Sequence, residues 1–229
     1  MDAEDLPPER VLPLVVRVER TEPPTRTDAL EAAARAVLLM VTTDEPEWRA
    51  AVEAWRGNRI RKVVRRARGA EWRRATELPG LTVTSGSAQV RVYPPVLLDA
   101  WPRDLARLQV SGIELDDPAI PEPPPGTPLV LLAPDVRMSA GKAMAQAGHA
   151  AQLGLWSLDP AVAADWAAGG FPLAVRVASR GQWDAAVRAG GPVVHDAGFT
   201  EVTPGSATAT FAWPQKSGAS STYRRPIRR

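Results

Sequence analysis

The second half of the chain alternates between short apolar runs and longer segments with apolar residues at helical spacing. The runs indicate strands, and the longer Ala-rich segments indicate helices. Ser139 is a suitable N-cap for the longest of these, and glycine pairs terminate two others. The predicted strands are 129–133, 173–178, 193–196 and 207–213, and the predicted helices are 139–157, 159–168 and 180–189. This order predicts a small mixed sheet with helices on both faces.

The first half of the chain repeats the same pattern. Segments 13–16, 28–36, 60–65 and 83–88 align with 128–131, 142–150, 171–176 and 202–207, and Arg68-Gly69 with Trp72 aligns with Arg180-Gly181 with Trp183. Five matches in one order indicate a tandem duplication, with chance similarity between two Ala- and Arg-rich units as the alternative. The predicted fold class is therefore α/β: two tandem α/β/α sandwiches, each a small mixed four-stranded sheet with helices on both faces.

The two copies differ in their polar residues. The first copy has Asp28, Ala32 and Arg35 where the second has Lys142, Gln146 and His149, and nothing in it aligns with 193–201. The first copy is therefore expected to be degenerate. The predicted organisation is a flexible N-terminus (1–10), the degenerate unit (11–95), a Pro-rich semi-rigid linker (96–127), the second unit (128–214) and a disordered basic tail (215–229). A short helix is possible within 96–110.

Composition excludes several classes of protein. The chain has 229 residues and no cysteine, so disulfides, thiolate nucleophiles and Cys-ligated metals are excluded. No apolar run approaches the roughly 18–20 residues of a membrane span. The acidic, Pro-flanked start is unlike a signal peptide. The expectation is a soluble cytoplasmic protein without membrane contact; the net charge of +2 adds little.

Two polar segments of the second copy carry the candidate chemistry. Lys142, Gln146 and His149 are spaced so that they share one face of the Ala-rich helix. Further on, His195-Asp196-Ala197-Gly198 begins a polar turn that continues through Thr200 to Pro204-Gly205-Ser206. Taken alone, each residue has a plain structural interpretation: a solvated lysine, a buried histidine, or an Asp-Gly turn.

Together the two segments resemble the type 2, archaeal and eukaryotic-type, peptidyl-tRNA hydrolases. That family carries a strand, a Gly-Lys-x-x-x-Gln-x-x-His-Ala helix and later an Asp-Ala-Gly-x-Thr-x-x-x-Pro-Gly turn ending in Ser or Thr. The resemblance covers 129–213, and residues 14–93 match it only in their pattern of apolar residues. It implies a four-stranded mixed sheet in an α/β/α sandwich and hydrolysis of the ester between peptide and tRNA, without a metal or other cofactor.

The resemblance also implies roles for individual residues. Lys142, Asp196 and Thr200 match the positions usually assigned to catalysis. Lys142, near a helix N-terminus, would stabilise the oxyanion or hold a phosphate of the CCA end. Asp196 would accept a proton from water or orient it, assisted by Thr200. The expected substrate-binding residues are Gln146, His149, Gly198, Gly205 and Ser206, with Thr208 and Thr210 on a strand that can border the site.

The chain departs from the family pattern in two places. Ala140 stands where the family usually carries Lys or Arg, which removes a charge beside the site. The helical connection between the second and third strands is shorter than in the family. His195 has no counterpart in the pattern and is expected to be structural. Two histidines far apart in the chain do not make a metal site.

A basic run in the first copy suggests where RNA binds. Residues 56–74 hold the densest arginine cluster of the chain, flanked by Trp55 and Trp72. Basic residues beside aromatics suit a phosphate backbone and exposed bases. The alternative is a solvated surface that reflects high arginine usage. The predicted RNA-binding residues are Arg59, Arg61, Lys62, Arg65 and Arg66.

The predicted partner is peptidyl-tRNA. Because the family often forms homodimers, the degenerate copy is expected to replace the second subunit, giving a pseudo-dimer within one chain or a weak homodimer. The alternative function is a noncatalytic RNA- or protein-binding module derived from the same fold, which Ala140 and the short connection favour.

Overall fold

The computed structural model describes residues 8–57, 60–198 and 201–214. The N-terminal unit contains strands β1 (Arg10–Arg17), β2 (Arg61–Ala67), β3 (Leu81–Ser85), β4 (Ala88–Val92) and β5 (Val96–Leu97), and helices α1 (Arg26–Val41), α2 (Pro46–Arg56), α3 (Gly69–Glu77) and α4 (Arg103–Ala106). Its sheet has the order β2-β1-β4-β3, with the short β5 paired to β1. Strands β1 and β2 are parallel and the other pairs are antiparallel.

The C-terminal unit repeats this arrangement. It contains strands β6 (Leu129–Leu132), β7 (Ala174–Val177), β8 (Val193–His195) and β9 (Ala207–Ala212), and helices α5 (Ala140–Ser157), α6 (Pro160–Ala168) and α7 (Arg180–Arg188). The sheet order β7-β6-β9-β8 is that of the first unit with each strand replaced by its counterpart. The predicted α/β class with two similar mixed four-stranded sheets is therefore confirmed. Each predicted helix and strand of this unit begins and ends within one residue of the observed one.

Side-chain contacts fix the correspondence between the units. Trp55 donates from Nε1 to the carbonyl of Arg61 at 3.0 Å, and Trp166 donates in the same way to Pro172 at 2.8 Å. Leu14 of β1 pairs with Val64, and Val130 of β6 pairs with Val175. Leu14 therefore corresponds to Val130, not to Leu129 as the sequence alignment predicted. A shift of one residue in a strand moves side chains to the opposite face, which explains why the structure corrects this match.

The segment predicted to be missing from the first unit is partly present. Strand β3 takes the sheet position of β8, because β3 is the edge strand beside β4 and β8 is the edge strand beside β9. What the first unit lacks is the long loop from Asp196 to Ser206, which the tight Gly86-Ser87 turn replaces. The Asp28 carboxylate accepts from the backbone N–H and the hydroxyl of Ser87, each at 2.7 Å. The start of the helix therefore still contacts the turn, but with an aspartate at the position of Lys142.

The two units share one hydrophobic core. Helices α1 and α5 pack directly against each other, and a continuous buried cluster runs from the first sheet to the second. Small residues allow the close approach: a Cβ on Gly148 would lie 2.7 Å from a methyl group of Val37. Smaller clusters beneath α3 and α7 cover the outer faces of the sheets. Helices on both faces of each sheet follow from this layering.

The segment between the units packs against both of them. Leu105 and Leu108 are buried beneath the first sheet, and the predicted short helix is the four-residue α4. Ile113 and Leu115 lie in the shared core. Asp117 accepts from the backbone N–H and the hydroxyl of Thr27 in α1. In the described part of the chain, no helix is long and apolar enough to cross a membrane.

Candidate functional site

The candidate site lies where the start of α5 meets the loop that follows β8. Ser139 caps α5 by accepting from the N–H of Lys142, as expected for an N-cap. The cap places Lys142 in the first turn of the helix, and Gln146 follows one turn later on the same face. Strand β8 ends at His195, so that Asp196 comes directly after the strand and faces this helix.

Lys142 and Asp196 form an ion pair inside the protein. The Lys142 ammonium lies 2.5 Å from Oδ2 of Asp196, and their side chains are 12% and 5% exposed. Gln146 donates from Nε2 to the same oxygen at 2.6 Å, while its Oε1 accepts from the Thr208 hydroxyl at 2.9 Å. Thr208 therefore fixes which way the Gln146 amide points. The helix and the loop, far apart in sequence, converge as the resemblance implied.

The backbone of the loop holds the Asp196 carboxylate in place. The N–H of Gly198 donates to Oδ1 of Asp196 at 2.8 Å. The Asp196 N–H donates to Ser206, and the Gly205 N–H donates to the carbonyl of Asp196. Gly198 has a φ of 77°, and a Cβ there would overlap Pro204. The loop is shaped by the backbones of three residues predicted to bind substrate: Gly198, Gly205 and Ser206.

Glu201 closes the loop onto the helix, and sequence reasoning did not single it out. Its carboxylate accepts from the hydroxyl of Ser139 at 2.7 Å and from the Ser139 N–H at 2.9 Å. An acidic group is stabilised at a helix N-terminus because the exposed N–H groups and the helix dipole favour negative charge. The available signal was an acidic residue within the loop, but its partner lies 62 residues away.

An open cleft of about 470 Å³ lies over this constellation, and its walls come from both units. The C-terminal unit provides Ser139, Lys142, Gln146, His149, Asp196 and Glu201. The N-terminal unit provides residues 60–64, at the start of β2, and the inter-unit segment provides Val110. The volume falls in the range of small-ligand pockets, about 300–1,000 Å³. The cleft therefore suits a single nucleotide or a short peptide rather than a duplex.

Two basic side chains on opposite walls of the cleft are perturbed by burial. Burial, with a smaller contribution from the charge of the nearby Lys62, lowers the pKa of His149 from 6.5 to about 3. Burial also holds the pKa of Lys62 well below its usual range. The Lys62 residue is half-buried, but its Nζ has no contact with solvent and no hydrogen-bond partner. His149 is thus neutral near pH 7.

The predicted RNA-binding residues do not form one surface. Strand alternation places Lys62 and Arg66 on one face of β2 and Arg61 and Arg65 on the other. Arg65 donates to the carbonyls of Ala106 and Leu108, and Arg66 donates to Ser111 and Gln109. Both arginines therefore hold the inter-unit segment. Arg61 and Lys62 line the cleft, and Arg61 also pairs with Glu9 at 3.5 Å.

The tryptophans that flank the basic run do not offer stacking surfaces. Trp55 is completely buried and Trp72 is 8% exposed. The interpretation of these rings as platforms for bases is wrong, because helices α2 and α3 turn them into the core. Two predicted site residues, Thr200 in the catalytic set and Arg59 in the RNA-binding set, lie outside the described residues.

Three other positions in the second unit have identified environments. His195 is exposed at the cleft, and its Nδ1 lies 3.2 Å from the carbonyl oxygen of Gly205. Thr210 donates to the carbonyl of Pro192 rather than into the site. Ala140 is buried, and its N–H donates to Ile113 of the inter-unit segment. A long basic side chain here, as in the family pattern from which the chain departs at Ala140, would meet this segment.

The described residues of the site do not form a metal-ligand set. Among the described residues, no three His, Asp or Glu side chains are grouped so that they could hold a metal ion. The fold and site together define an α/β protein of two similar units, with a cleft between them that charged and apolar side chains both line. A comparison of the chain with protein-family models and with curated proteins finds no match.

Proposed function

We propose that this chain hydrolyses the ester bond between peptide and tRNA in peptidyl-tRNA and so recycles tRNA. The observation that carries the proposal is the Lys142–Asp196 ion pair, oriented by Gln146 and open to a cleft. The residues around it are those that match the peptidyl-tRNA hydrolase motifs. An ammonium beside a carboxylate on a water-accessible wall is suited to ester hydrolysis.

Asp196 orients and deprotonates the attacking water. Its carboxylate has about four acceptor positions, and the described residues occupy three of them, through Lys142, Gln146 and Gly198. The remaining position accepts a proton from a water that attacks the ester carbonyl carbon. The ester carbon–oxygen bond then breaks, the terminal ribose oxygen takes up the proton that Asp196 accepted, and the peptide leaves as a carboxylic acid. Water and ester are thereby converted into peptide and tRNA.

Lys142 stabilises the negative charge that develops on the carbonyl oxygen. It lies in the first turn of α5, where the ammonium and the helix dipole both favour an anion. Removing one donor from an oxyanion site lowers kcat by about 10²–10³. His149 is a poor general base at neutral pH, because burial lowers its pKa to about 3. It therefore contributes shape and hydrogen bonding to the cleft.

Release of tRNA from N-acetylaminoacyl-tRNA by the purified protein tests the proposal. Lys142→Ala is expected to lower kcat/KM by about 10²–10³. Arg180→Ala is the matched control, because it removes an exposed cation from the first turn of α7 in the same unit. Wild-type activity in Lys142→Ala would reject the site. A wild-type protein that binds the substrate without releasing tRNA would favour the alternative, a noncatalytic binding module, for which the covered Ala140 is the supporting observation.

A further inference from the structure

The position of Lys62 is unusual in its own unit. Trp55 bonds to Arg61 as Trp166 bonds to Pro172, so Arg61 and Pro172 occupy equivalent positions in the two units. The next residues, Lys62 and Leu173, are therefore also equivalent. Leu173 is buried in the shared core, as that position of the edge strand requires. A lysine in place of a buried leucine is destabilising unless its amine has a partner. The described structure provides none, since Nζ of Lys62 is buried without a hydrogen-bond acceptor.

Lysine is also a rare choice in this chain. The sequence contains 28 Lys and Arg residues, of which Lys62, Lys142 and Lys216 are the lysines. Lys216 lies outside the described residues, and the other two line the same cleft from opposite units. Lysine differs from arginine in that burial can remove its charge and its flexible stem can redirect the amine. A lysine can therefore be neutral and buried when the cleft is empty, and its amine can turn towards an anion that enters.

The surroundings of Lys62 support such a movement. Its stem lines the cleft, while Nζ lies over the Trp55 ring at 5.0 Å from the centroid. Protonation is disfavoured there, because burial lowers the pKa of the amine. An anion entering the cleft would restore the ammonium and provide the missing acceptors. Negative carboxylates in the cleft, Asp196 and Glu201, are already paired with Lys142 and Ser139.

We infer that Lys62 is a substrate-binding residue of the C-terminal site, contributed by the N-terminal unit, and that it holds an internucleotide phosphate of the CCA end. This inference rests on the proposed function, which places the ester at Lys142 and Asp196. The phosphates nearest to that ester belong to the terminal nucleotides, and the cleft is of nucleotide size. The substrate therefore crosses from one unit to the other.

Binding of an unacylated RNA oligonucleotide ending in CCA tests the inference without requiring hydrolysis. Lys62→Met is expected to raise Kd about tenfold and to reduce the slope of log K against log salt concentration by about 0.7, as for one phosphate contact on a single strand. The matched control is Leu173→Met, which introduces the same side chain at the corresponding position and should leave both quantities unchanged. An unchanged Kd and slope in Lys62→Met would overturn the inference.

A neutral linkage in the RNA identifies the phosphate. A methylphosphonate in place of each internucleotide phosphate of CCA in turn should weaken wild-type binding about tenfold at one position. Lys62→Met should be insensitive to the replacement at that position, which is the mark of a direct contact in a double-mutant cycle. Independent, additive losses at every position would overturn the inference. Inorganic phosphate should compete only weakly, because it lacks the terminal nucleoside.

Stability and kinetics separate this role from a structural one and from failure of the proposed function. Lys62→Met should unfold at the same or a higher temperature than wild type, because it removes a buried amine without partners. In hydrolysis, KM should rise about tenfold with kcat nearly unchanged. A lower unfolding temperature with an unchanged salt slope would make Lys62 structural and overturn the inference. If wild type does not hydrolyse the substrate, only the proposed function fails, and the binding measurements still decide the inference.

Discussion

Replacing Asp196 by asparagine tests the site most directly, because the two side chains have the same shape. The Asp196 carboxylate accepts from Lys142, Gln146 and the Gly198 N–H, and its side chain is 5% exposed. An asparagine amide has one acceptor oxygen and one donor nitrogen. In one orientation the nitrogen faces Lys142 and Gln146, and in the other it faces the Gly198 N–H. Every orientation therefore brings a donor against a donor.

The magnitude of the effect follows from these contacts. A buried donor left without its acceptor costs about 1–3 kcal/mol of unfolding free energy. The better orientation keeps the oxygen on Lys142 and Gln146 and loses the Gly198 contact, but it also leaves the buried Lys142 ammonium without its counter-charge. We therefore expect a loss at the upper end of that range, about 3 kcal/mol. Catalysis suffers more, because an amide cannot accept the proton of water. Loss of a general base lowers kcat by about 10²–10⁴.

Two assays on the same preparation separate the effects. Urea unfolding reports the change in stability, and single-turnover release of tRNA from N-acetylaminoacyl-tRNA reports the chemical step. Asp159→Asn is the matched control, because asparagine caps a helix as well as aspartate does and Asp159 only caps α6. A folded Asp196→Asn protein with kcat within about threefold of wild type would refute the assignment of Asp196 as the base.

Two further predictions concern acid stability and the dependence of one unit on the other. The pKa of His149 is about 3 in the folded protein and about 6.5 unfolded, so the unfolded state binds more protons between these values and stability falls as pH falls through this window. We expect the free energy of urea unfolding to fall between pH 7.5 and 5 by about 2 kcal/mol less in His149→Gln than in wild type, from the linkage alone. His195→Gln is the control. Equal losses in His149→Gln and wild type would contradict the buried, neutral imidazole. A fragment of residues 120–229 exposes the face of α5 that packs on α1 and should be unfolded or self-associated by circular dichroism and sedimentation; a folded, monomeric and fully active fragment would contradict a shared core and site.

Local periodicity was sufficient to predict most of the C-terminal unit. The limits of α5 follow from Ser139 as an N-cap and from the apolar spacing, and the structure places that helix at Ala140–Ser157. Helical geometry also predicts that Lys142 and Gln146 share a face. Periodicity could not predict that Asp196 lies beside them, because it describes only local structure. That prediction came from the resemblance, in which the helix motif and the turn motif occur together and form one site.

Contacts between the units could not be predicted from either unit alone. Lys62 was assigned to a basic surface because its neighbours in sequence are arginines, yet it lies in the cleft. Part of this could have been derived, since strand alternation separates Lys62 from Arg61 and Arg65. The pairing of Glu201 with Ser139 depends on how the loop folds back, and no local pattern determines that.

The asymmetry between the units makes the two sides of their interface different. By the symmetry of the pair, α5 faces β2 on one side and α1 faces β7 on the other. On the second side, Glu31 of α1 accepts from Arg176 at 2.8 Å and from the Val175 N–H at 3.2 Å, and these contacts bridge α1 and β7. The position of Glu31 in α5 is Ala145, which lines the open cleft. A carboxylate in place of a methyl group therefore links the two units on one side, while the other side keeps its polar residues and has Lys62. A homodimer of identical units could not make this distinction, because every substitution would appear in both clefts.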